Sequence, residues 1–293
     1  MILHDTCQTA IQECLTNKRF SIARMRSEEK TFSMHVHPCH ELYFSIAGGR
    51  QYLIETQSYA ISPGDVFFVN QYESHCLTQV EETSHDRIVI NIDPAYLEQL
   101  SSGETNLALC FDSSLPNFHR QLHLDKEAQN TFYFFIQKLS SLGGYGEDLL
   151  EESTFIEFMI FLGRQMLSNK GDVLTNGPAN LAFDEKANAI LDYINSNLLD
   201  DLTLDQIADH FYVSKSYLCR LFLRTTGTTI SKYIAARRIS IAKQMLKNGD
   251  NAMEACNKSG FNDYSNFHKT FTRTMGITPK KFQTQSLQNN LYI

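Results

Sequence analysis

The sequence predicts a two-domain α+β protein, in which an N-terminal β-barrel with two helices precedes an all-α C-terminal domain. Three observations lead to this fold class. Short β-rich segments with turn signals fill the first hundred residues, a duplicated helical pattern fills the last hundred, and opposite charges separate the two halves. A chain of 293 residues is long enough to build a core in each domain.

The C-terminal domain is predicted from a repeat, because residues 203–282 contain one pattern twice at a constant offset of 49 residues. The matched pairs are Ser216 and Ser265, Leu218 and Phe267, Arg220 and Lys269, Phe222 and Phe271, Arg224 and Arg273, and Gly227 and Gly276. A repeat of this length indicates two copies of one supersecondary unit.

Each copy has the pattern of a helix-turn-helix. In the first, apolar residues recur at helical spacing behind Thr203, a candidate N-cap, and a turn leads to Ser214, which can cap a second helix. In the second copy, Gly260 permits a positive φ in the turn, and the second helix begins at Asp263. An amphipathic helix over residues 230–246 joins the copies.

The second helix of each copy turns basic and hydrogen-bonding side chains outward. A plain helical bundle with a duplicated hairpin is the alternative, but it does not explain this composition in both copies. The expected DNA-binding residues are Lys215, Ser216, Cys219, Arg220, Arg224, Tyr264, Ser265, His268, Lys269, Arg273 and Lys280. Arg220 and Lys269 occupy matched positions and are expected to contact base edges. The candidates for phosphate contacts are Arg224, Arg273, Lys280 and Lys281.

Residues 184–284 resemble the DNA-binding domain of the AraC/XylS family of bacterial transcription regulators. The resemblance rests on the two helix-turn-helix copies, on Gly260 and Phe261 before the second recognition helix, and on the closing segment from Gly276 to Phe282. It implies that two recognition helices enter successive major grooves of double-stranded promoter DNA. It also implies a small-molecule effector, with a sugar as one candidate, a second copy of the chain in a homodimer, and RNA polymerase as partners.

The charge distribution agrees with this interpretation. The net charge is −7, but residues 1–200 carry −14 and residues 201–293 carry +7. Positive charge is therefore concentrated where phosphates would be bound. No run of 18 apolar residues and no leader pattern are found, which predicts a cytoplasmic protein that contacts no membrane. Seven scattered cysteines without a Cys-x-x-Cys pair fit neither a disulfide framework nor a zinc knuckle.

The barrel is predicted from eight strand-like segments, at residues 20–25, 31–36, 41–46, 50–55, 59–61, 65–69, 75–78 and 87–92. Short strands at this spacing are typical of a small antiparallel barrel, whose interior can hold one small ligand. Residues 107–111 are apolar and are predicted to form either a further strand or a loop packed on the barrel.

Two spacings in this region resemble the cupin motifs. His35, His37 and Glu41, with Gly48 seven residues later, match the first motif, and Gly64 with His75 eleven residues later matches the second. In metal-binding cupins the equivalents of His35, His37, Glu41 and His75 would hold a divalent transition metal. AraC-type sensor domains share this signature and usually bind effectors without a metal.

The role of these side chains therefore stays open between metal ligands, buried structural histidines and effector contacts. The residues expected near an effector are His37, Glu41, Tyr43, Tyr52 and His75, because a ligand pocket needs a few polar groups that orient its ligand. His40 is expected to be solvated. A metal-dependent cupin enzyme fused to a DNA-binding domain is the alternative function, although no acid–base pair or arginine cluster supports it, so a non-enzymatic regulator is predicted.

Two long helices follow the barrel segments. Residues 125–142 form an amphipathic helix with Asp125 as a candidate cap, and residues 147–168 form a second helix with a wider apolar face. That face is expected to form a dimer interface, and packing against the barrel's own wall is the alternative. Polar residues after this helix predict a linker. The predicted domains are residues 1–170 for sensing and dimerisation, a linker at 171–183, the DNA-binding domain at 184–284 and a tail at 285–293.

Overall fold

The computed structural model describes residues 3–27, 34–48, 51–55, 57–78, 85–113, 115, 118–168, 185–226 and 228–289. Its N-terminal elements are β1 (Leu3–His4), α1 (Cys7–Asn17), β2 (Phe20–Ser27), β3 (His40–Ala47), β4 (Gln51–Ile54), β5 (Gln57–Ala60), β6 (Asp65–Val69), β7 (His75–Thr78), β8 (His85–Ile92), α2 (Pro94–Leu100), a 3₁₀ turn (Leu109–Phe111), β9 (Gln121–His123), α3 (Lys126–Ser141) and α4 (Glu147–Ser168). Its C-terminal elements are α5 (Glu185–Ser196), α6 (Leu204–His210), α7 (Lys215–Thr226), α8 (Ile230–Lys247), α9 (Ala252–Lys258), α10 (Tyr264–Met275) and α11 (Pro279–Asn289). The predicted α+β class is confirmed.

The strands form two facing sheets. A six-stranded sheet has the order β1-β2-β8-β3-β6-β9, and a three-stranded sheet has the order β5-β4-β7. Tyr43 and Phe67 of the larger sheet meet Tyr52 and Leu77 of the smaller sheet in one shared core. This interior between the sheets is where the predicted effector residues lie.

The prediction of a closed barrel is wrong for the described residues. The ladders of the larger sheet end at β1 and β9, and those of the smaller sheet end at β5 and β7. Closure through β6 is prevented because β9 pairs with its outer edge, with Phe67 opposite Gln121. β9 has only three residues and the sequence analysis missed it. The N-terminal domain is therefore a two-sheet sandwich.

Helices α3 and α4 cover the outer face of the larger sheet. The Asp125 carboxylate caps α3, as expected, by accepting a hydrogen bond from the Ala128 backbone N–H at 2.8 Å. The Phe155 ring of α4 stacks on Phe20 of β2 with centroids 4.1 Å apart. Phe158 is completely buried in the same core. The apolar face of α4 thus packs on the domain's own sheet, which was the alternative to a dimer interface.

Most individual strands and helices have the type that the sequence predicted, but their first and last residues often differ from the prediction. Strands β6 and β7 have the predicted ends, whereas β8 begins two residues early, at His85. Residues 107–111 end in a 3₁₀ turn, not a strand. Helix α2, capped by Asp93 with Pro94 in its first turn, was missed. Part of the predicted strand at 31–36 lies outside the described residues.

The C-terminal helices confirm the duplicated helix-turn-helix. α6 and α7 form the first unit, α9 and α10 the second, and α8 joins them. Thr203 caps α6 in a reciprocal capping box with Gln206, and α9 has the same arrangement between Asn251 and Glu254. The predicted linker lies outside the described residues, so the domain boundaries stay a prediction. None of the helices in the described ranges has the length and apolarity required to cross a bilayer.

The outer face of the three-stranded sheet packs against the C-terminal domain. Leu53 and Cys76 are cross-strand partners and are completely buried. They share one apolar core with residues of the C-terminal helices, among them Ile190, Leu221 and Tyr233. The smaller sheet therefore separates the sandwich interior from the helix-turn-helix domain by one layer.

Candidate DNA interface and ligand site

Helix α7 has one buried and one exposed face, as the repeat predicted. Leu218, Leu221 and Phe222 are buried in the core of the first helix-turn-helix. Ser214 caps the helix, since its Oγ accepts a hydrogen bond from the Tyr217 backbone N–H at 3.2 Å. All five DNA-binding candidates of this helix are exposed to solvent: Lys215, Ser216, Cys219, Arg220 and Arg224.

Helix α10 repeats this arrangement. Phe267 and Phe271 are completely buried, and the Asp263 carboxylate caps the helix by accepting from the Asn266 N–H at 2.6 Å. Four of its candidates are exposed, namely Tyr264, Ser265, Lys269 and Arg273, and His268 is half-buried. Lys280 and Lys281 are exposed at the start of α11. Arg220 and Lys269 are thus exposed at matched positions, one on each recognition helix.

Lys215, one of the DNA-binding candidates on α7, already has an acidic neighbour. The Lys215 ammonium lies 2.8 Å from the Asp205 carboxylate of α6. Both side chains are exposed, so the ion pair is weak. A DNA phosphate can therefore readily replace Asp205 as the partner of Lys215. The hydrogen bond to Asp205 raises the pKa of Lys215, which therefore stays charged.

The two units are held in register by contacts around α8 that the sequence analysis missed. The Arg238 side chain donates to the Leu198 carbonyl at 2.8 Å and to the Asp200 carbonyl at 2.7 Å. Gly260 has a φ of 83°, and a Cβ at that position would lie 2.7 Å from the Leu198 carbonyl oxygen. The turn of the second unit therefore packs directly on Leu198, which follows α5 and belongs to the core of the first unit. Arg238 therefore helps to position the two units.

Between the two sheets, the Glu41 carboxylate of β3 is the centre of a buried polar cluster. One carboxylate oxygen accepts a hydrogen bond from Tyr52 Oη at 2.7 Å. The other lies 3.1 Å from His37 Nε2 and 3.7 Å from His75 Nε2. Glu41, His37, Tyr52 and His75 are all buried, so the structure brings together four of the five expected effector residues.

Hydrogen bonds to backbone carbonyls fix both imidazoles. His37 Nδ1 lies 3.0 Å from the Cys39 carbonyl oxygen, and His75 Nδ1 lies 2.8 Å from that of Glu73. A carbonyl oxygen can only accept, so each Nδ1 carries a proton and donates. In a neutral ring, Nε2 then carries a lone pair that is directed at the Glu41 carboxylate. Two acceptors facing each other require a proton or a cation between them.

The pKa directions agree with this arrangement. Burial opposes ionisation of Glu41, but the charge of His75 and the hydrogen bond with His37 outweigh it and hold the pKa of Glu41 well below its usual range. Burial also opposes protonation of His37 and His75. The bonds that His37 makes with the Cys39 carbonyl and Glu41, and the Glu41 charge beside His75, outweigh that effect and raise the pKa of both rings. Without another cation, protons on the His37 and His75 rings neutralise the Glu41 carboxylate and hold the cluster together.

The same side chains have the composition of a metal site. One ligand atom from each of His35, His37, Glu41 and His75 lies within 4.8 Å of the other three. Ligands around an ion such as Zn²⁺, at about 2.1 Å each, lie at most about 4.2 Å apart, so a small inward movement would complete the set. His75 Nε2 is buried and has no hydrogen-bond partner within the described residues. Both buried imidazoles have the outer carbonyl partner that metal-bound histidines usually have.

The fifth expected effector residue, Tyr43, belongs to a neighbouring polar chain. Its hydroxyl lies 2.6 Å from His85 Nε2, and Arg87 donates to His85 Nδ1 at 3.1 Å. Burial and the Arg87 charge lower the pKa of His85 to about 4, so this imidazole is neutral. The sequence analysis missed His85 and Arg87, and it also missed Cys7, whose thiol lies 3.9 Å from Glu41. Arg87 at the start of the apolar predicted strand 87–92 was the signal available in the sequence.

The expectation that His40 is solvated is wrong. Its ring stacks on Phe111 with centroids 4.3 Å apart, and its Nδ1 accepts from the Gln71 N–H at 3.3 Å. Burial, together with the charges of Lys247 and Lys243 on α8, lowers the pKa of His40 to about 3. His40 thus packs between the 3₁₀ turn and the C-terminal domain, away from the Glu41 cluster.

Comparison with known proteins shows the same two parts. A model of the AraC-like ligand binding domain matches residues 19–142, and a model of a helix-turn-helix domain matches residues 207–285. The chain belongs to the AraC family of transcription regulators. It is 25% identical over 242 residues to YbfI of Bacillus subtilis, an uncharacterized HTH-type transcriptional regulator, with 83% of each chain covered.

Other AraC-family relatives span most of the chain. The transcriptional activator RhaS of Escherichia coli is 24% identical over 264 residues, which cover 87% of this chain and 88% of RhaS. Among solved structures, fatty acid-bound ToxT of Vibrio cholerae has 17% identity and a TM-score of 0.38, with 91% of this chain and 95% of ToxT covered. The two family models, together with YbfI and RhaS, show that the protein is a DNA-binding transcription regulator with an N-terminal effector-binding domain and a C-terminal helix-turn-helix domain.

Proposed function

We propose that α7 and α10 read promoter DNA in successive major grooves and that the Glu41 cluster is where the effector binds. The observation that supports the DNA-reading part is the matched exposure of Arg220 and Lys269 above buried helix-turn-helix cores. The regulator works in the cytoplasm, where bacterial promoters lie. Because RhaS is named a transcriptional activator, we also propose RNA polymerase as a partner.

The effector that fits the cluster is a small polar molecule such as a sugar. Sugar hydroxyls both donate and accept, so they can bond to the Glu41 carboxylate and the Tyr52 hydroxyl together. Both groups are buried and already aligned, with 2.7 Å between their oxygens. The alternative of a cupin enzyme keeps the same ligands but requires turnover, and the relatives are named as regulators.

A panel of monosaccharides is expected to raise the melting temperature of the full chain. A ligand at one hundred times its Kd adds about 2.7 kcal/mol to the free energy of unfolding. Glu41→Gln and Tyr52→Phe are expected to remove the shift, since each alters one bonding group. Tyr59→Phe, at a half-buried tyrosine that bonds Gln57, serves as the control. A shift that persists in Glu41→Gln places the effector elsewhere, and no shift with any sugar excludes that class.

A bound divalent metal is a second candidate for the same cluster, supported by the Nε2 of buried His75, which has no hydrogen-bond partner among the described residues. His35, His37, Glu41 and His75 would hold it, and Tyr52 and the Cys39 and Glu73 carbonyls would orient the ligands. The metal would supply the positive charge that neutralises Glu41 and a position at which an effector oxygen could bind.

One equivalent of Co²⁺ is expected to bind the full chain, with an absorption spectrum of nitrogen and oxygen ligands. His75→Gln should weaken binding by more than the roughly 10- to 100-fold caused by loss of an outer partner. Because the pKa values of His37 and His75 are raised, binding should release protons and tighten as pH rises. His123→Gln, at a half-exposed histidine, is the control. Undiminished binding by His75→Gln, or a thiolate spectrum, contradicts this metal site.

We further propose that the chain forms a homodimer through the outer face of α4. Leu149 and Leu167 are 69% and 58% exposed, and half-buried Ile156 and Ile160 lie between them on the same stripe. The spacings of seven, four and seven residues place all four on one side of the helix. A Cβ added to Gly163 would meet no atom within 4 Å, so a second helix can approach closely there.

Replacing both exposed leucines, Leu149→Glu and Leu167→Glu, is expected to give a folded monomer in sedimentation velocity experiments. The added charges are tolerated in the free chain because both positions face solvent, but they repel across a two-fold interface. Leu199→Glu, at an exposed leucine after α5, should leave the dimer intact. A wild-type monomer, or a double variant that still dimerises, contradicts this interface.

A further inference from the structure

Strand β7 has two faces that serve different domains. Successive side chains of a strand point to opposite sides, so His75 faces the Glu41 cluster while Cys76 faces outward. The Cys76 thiol donates to the Thr226 carbonyl oxygen at 3.1 Å. Thr226 is the last residue of recognition helix α7. A site residue and a contact to the DNA-reading helix are therefore neighbours in sequence.

The residue before His75 is also tied to the DNA-binding domain, through Glu55. The Glu55 carboxylate accepts hydrogen bonds from the Ser74 N–H at 2.6 Å and the Ser74 hydroxyl at 3.2 Å. Its other oxygen forms an ion pair with Arg237 of α8. Glu55 adopts a left-handed φ of 55°, and its N–H donates to the Ser74 carbonyl at 2.7 Å. These contacts define the Glu55 clamp, which joins the start of β7 to α8.

Four residues on one side of α8 bond to the sensor domain. Tyr233, Arg237, Ser240 and Lys243 recur at intervals of three and four residues and so share a face. The Lys243 ammonium donates to the Gln71 carbonyl at 2.8 Å and lies 4.9 Å from the centre of the Tyr72 ring. Because α8 joins both helix-turn-helix units, the sensor domain holds the centre of the DNA-reading domain.

We propose that β7 and the Glu55 clamp couple occupancy of the Glu41 cluster to docking of the DNA-binding domain. An occupant that draws His75 towards Glu41, now 3.7 Å away, also draws Ser74 and Cys76 away from their partners. Docking of the DNA-binding domain on the sensor domain then weakens. The two recognition helices become free to move into positions that fit the major grooves. The coupling rests on the proposed function, in which this cluster is the effector site. It requires the occupant to bind the docked and undocked arrangements with different affinity.

Thiol labelling of the full chain, resolved by peptide mass spectrometry, tests this coupling. Cys76 is buried only while the domains are docked, Cys110 is buried inside the sensor core, and Cys219 is exposed. Undocking exposes Cys76 but not Cys110, whereas global unfolding exposes both. The Cys219 rate corrects for reagent activity.

Arg237→Ala should make Cys76 react at least about tenfold faster, since a clamp pair worth 1.4 kcal/mol or more is removed, and leave Cys110 unchanged. Lys232→Ala, on the exposed side of α8, should change neither rate. Glu41→Gln and Tyr52→Phe alter only the cluster, and each should change the Cys76 rate at least threefold without changing Cys110. Unchanged Cys76 in both cluster variants, or equal acceleration of Cys76 and Cys110 in Arg237→Ala, overturns the coupling.

The two hypotheses fail in different ways. If Glu41→Gln and Tyr52→Phe both abolish ligand binding but leave Cys76 labelling unchanged, the coupling is wrong and the effector site stands. If Cys76 responds to the cluster variants but monosaccharides and Co²⁺ bind equally well to them, the link between the cluster and domain docking stands and the assignment of the effector to this cluster is wrong.

Discussion

Phe158→Glu is expected to unfold the N-terminal domain, not to release a folded monomer. Phe158 is completely buried between α4 and the six-stranded sheet, in contact range of the Phe132 and Phe135 rings at 5.3 and 5.7 Å. A carboxylate there has no partner and loses its hydration, a change in the class that costs more than about 4 kcal/mol. That loss is comparable with the whole free energy of unfolding of an ordinary domain. Circular dichroism and thermal unfolding of the purified variant measure it.

Phe134→Glu is the matched control for this experiment. Phe134 lies on the neighbouring helix α3 but is 57% exposed, so its replacement should change the melting temperature little. A folded Phe158→Glu chain with an unchanged melting temperature would mean that α4 does not pack on the sheet as described.

The double variant Arg220→Ala, Lys269→Ala is expected to lose sequence-specific DNA binding while it keeps weak binding to any duplex. Each side chain that reads a base edge contributes about 1–3 kcal/mol of discrimination. The two positions lie on different recognition helices, so their effects should add to about 2–6 kcal/mol on the cognate site. Fluorescence anisotropy with cognate and scrambled duplexes measures both affinities.

Arg273→Ala is the control, because Arg273 is exposed at the end of α10 and is assigned to a phosphate. It should weaken binding to cognate and scrambled duplexes alike and reduce the salt slope by about one. If the double variant behaved in this way and retained its sequence preference, Arg220 and Lys269 would be phosphate contacts.

The helical domain was predictable because its signals are local. The caps at Thr203, Ser214 and Asp263, the turn glycine Gly260 and the apolar spacing each act within a few residues of the chain. A duplicated pattern supplied the same evidence twice. The ends of α7, α8 and α10 therefore lie within about one turn of the prediction.

The parts that sequence could not predict depend on contacts between distant segments. The three residues of β9 have no local signal, yet their pairing with β6 decides that the sandwich stays open. The ring of His40 stacks on Phe111, and burial together with the charges of Lys247 and Lys243 lowers its pKa, although all three residues follow it by many positions. The convergence of His37, Glu41 and His75 was expected from the resemblance to the cupin motifs, whereas the bonds of Tyr43 to His85 and of His85 to Arg87 were not expected.

Selection of binding sites from random duplexes by the purified full chain tests the central claim most directly. The account predicts two enriched blocks whose centres lie one helical turn apart, about 10–10.5 base pairs, because two recognition helices enter successive major grooves. Arg220→Ala should relax the preference within one block, and Lys269→Ala within the other. No enrichment, a single block, or loss of the same block in both variants would contradict a regulator that reads DNA with two helix-turn-helix units.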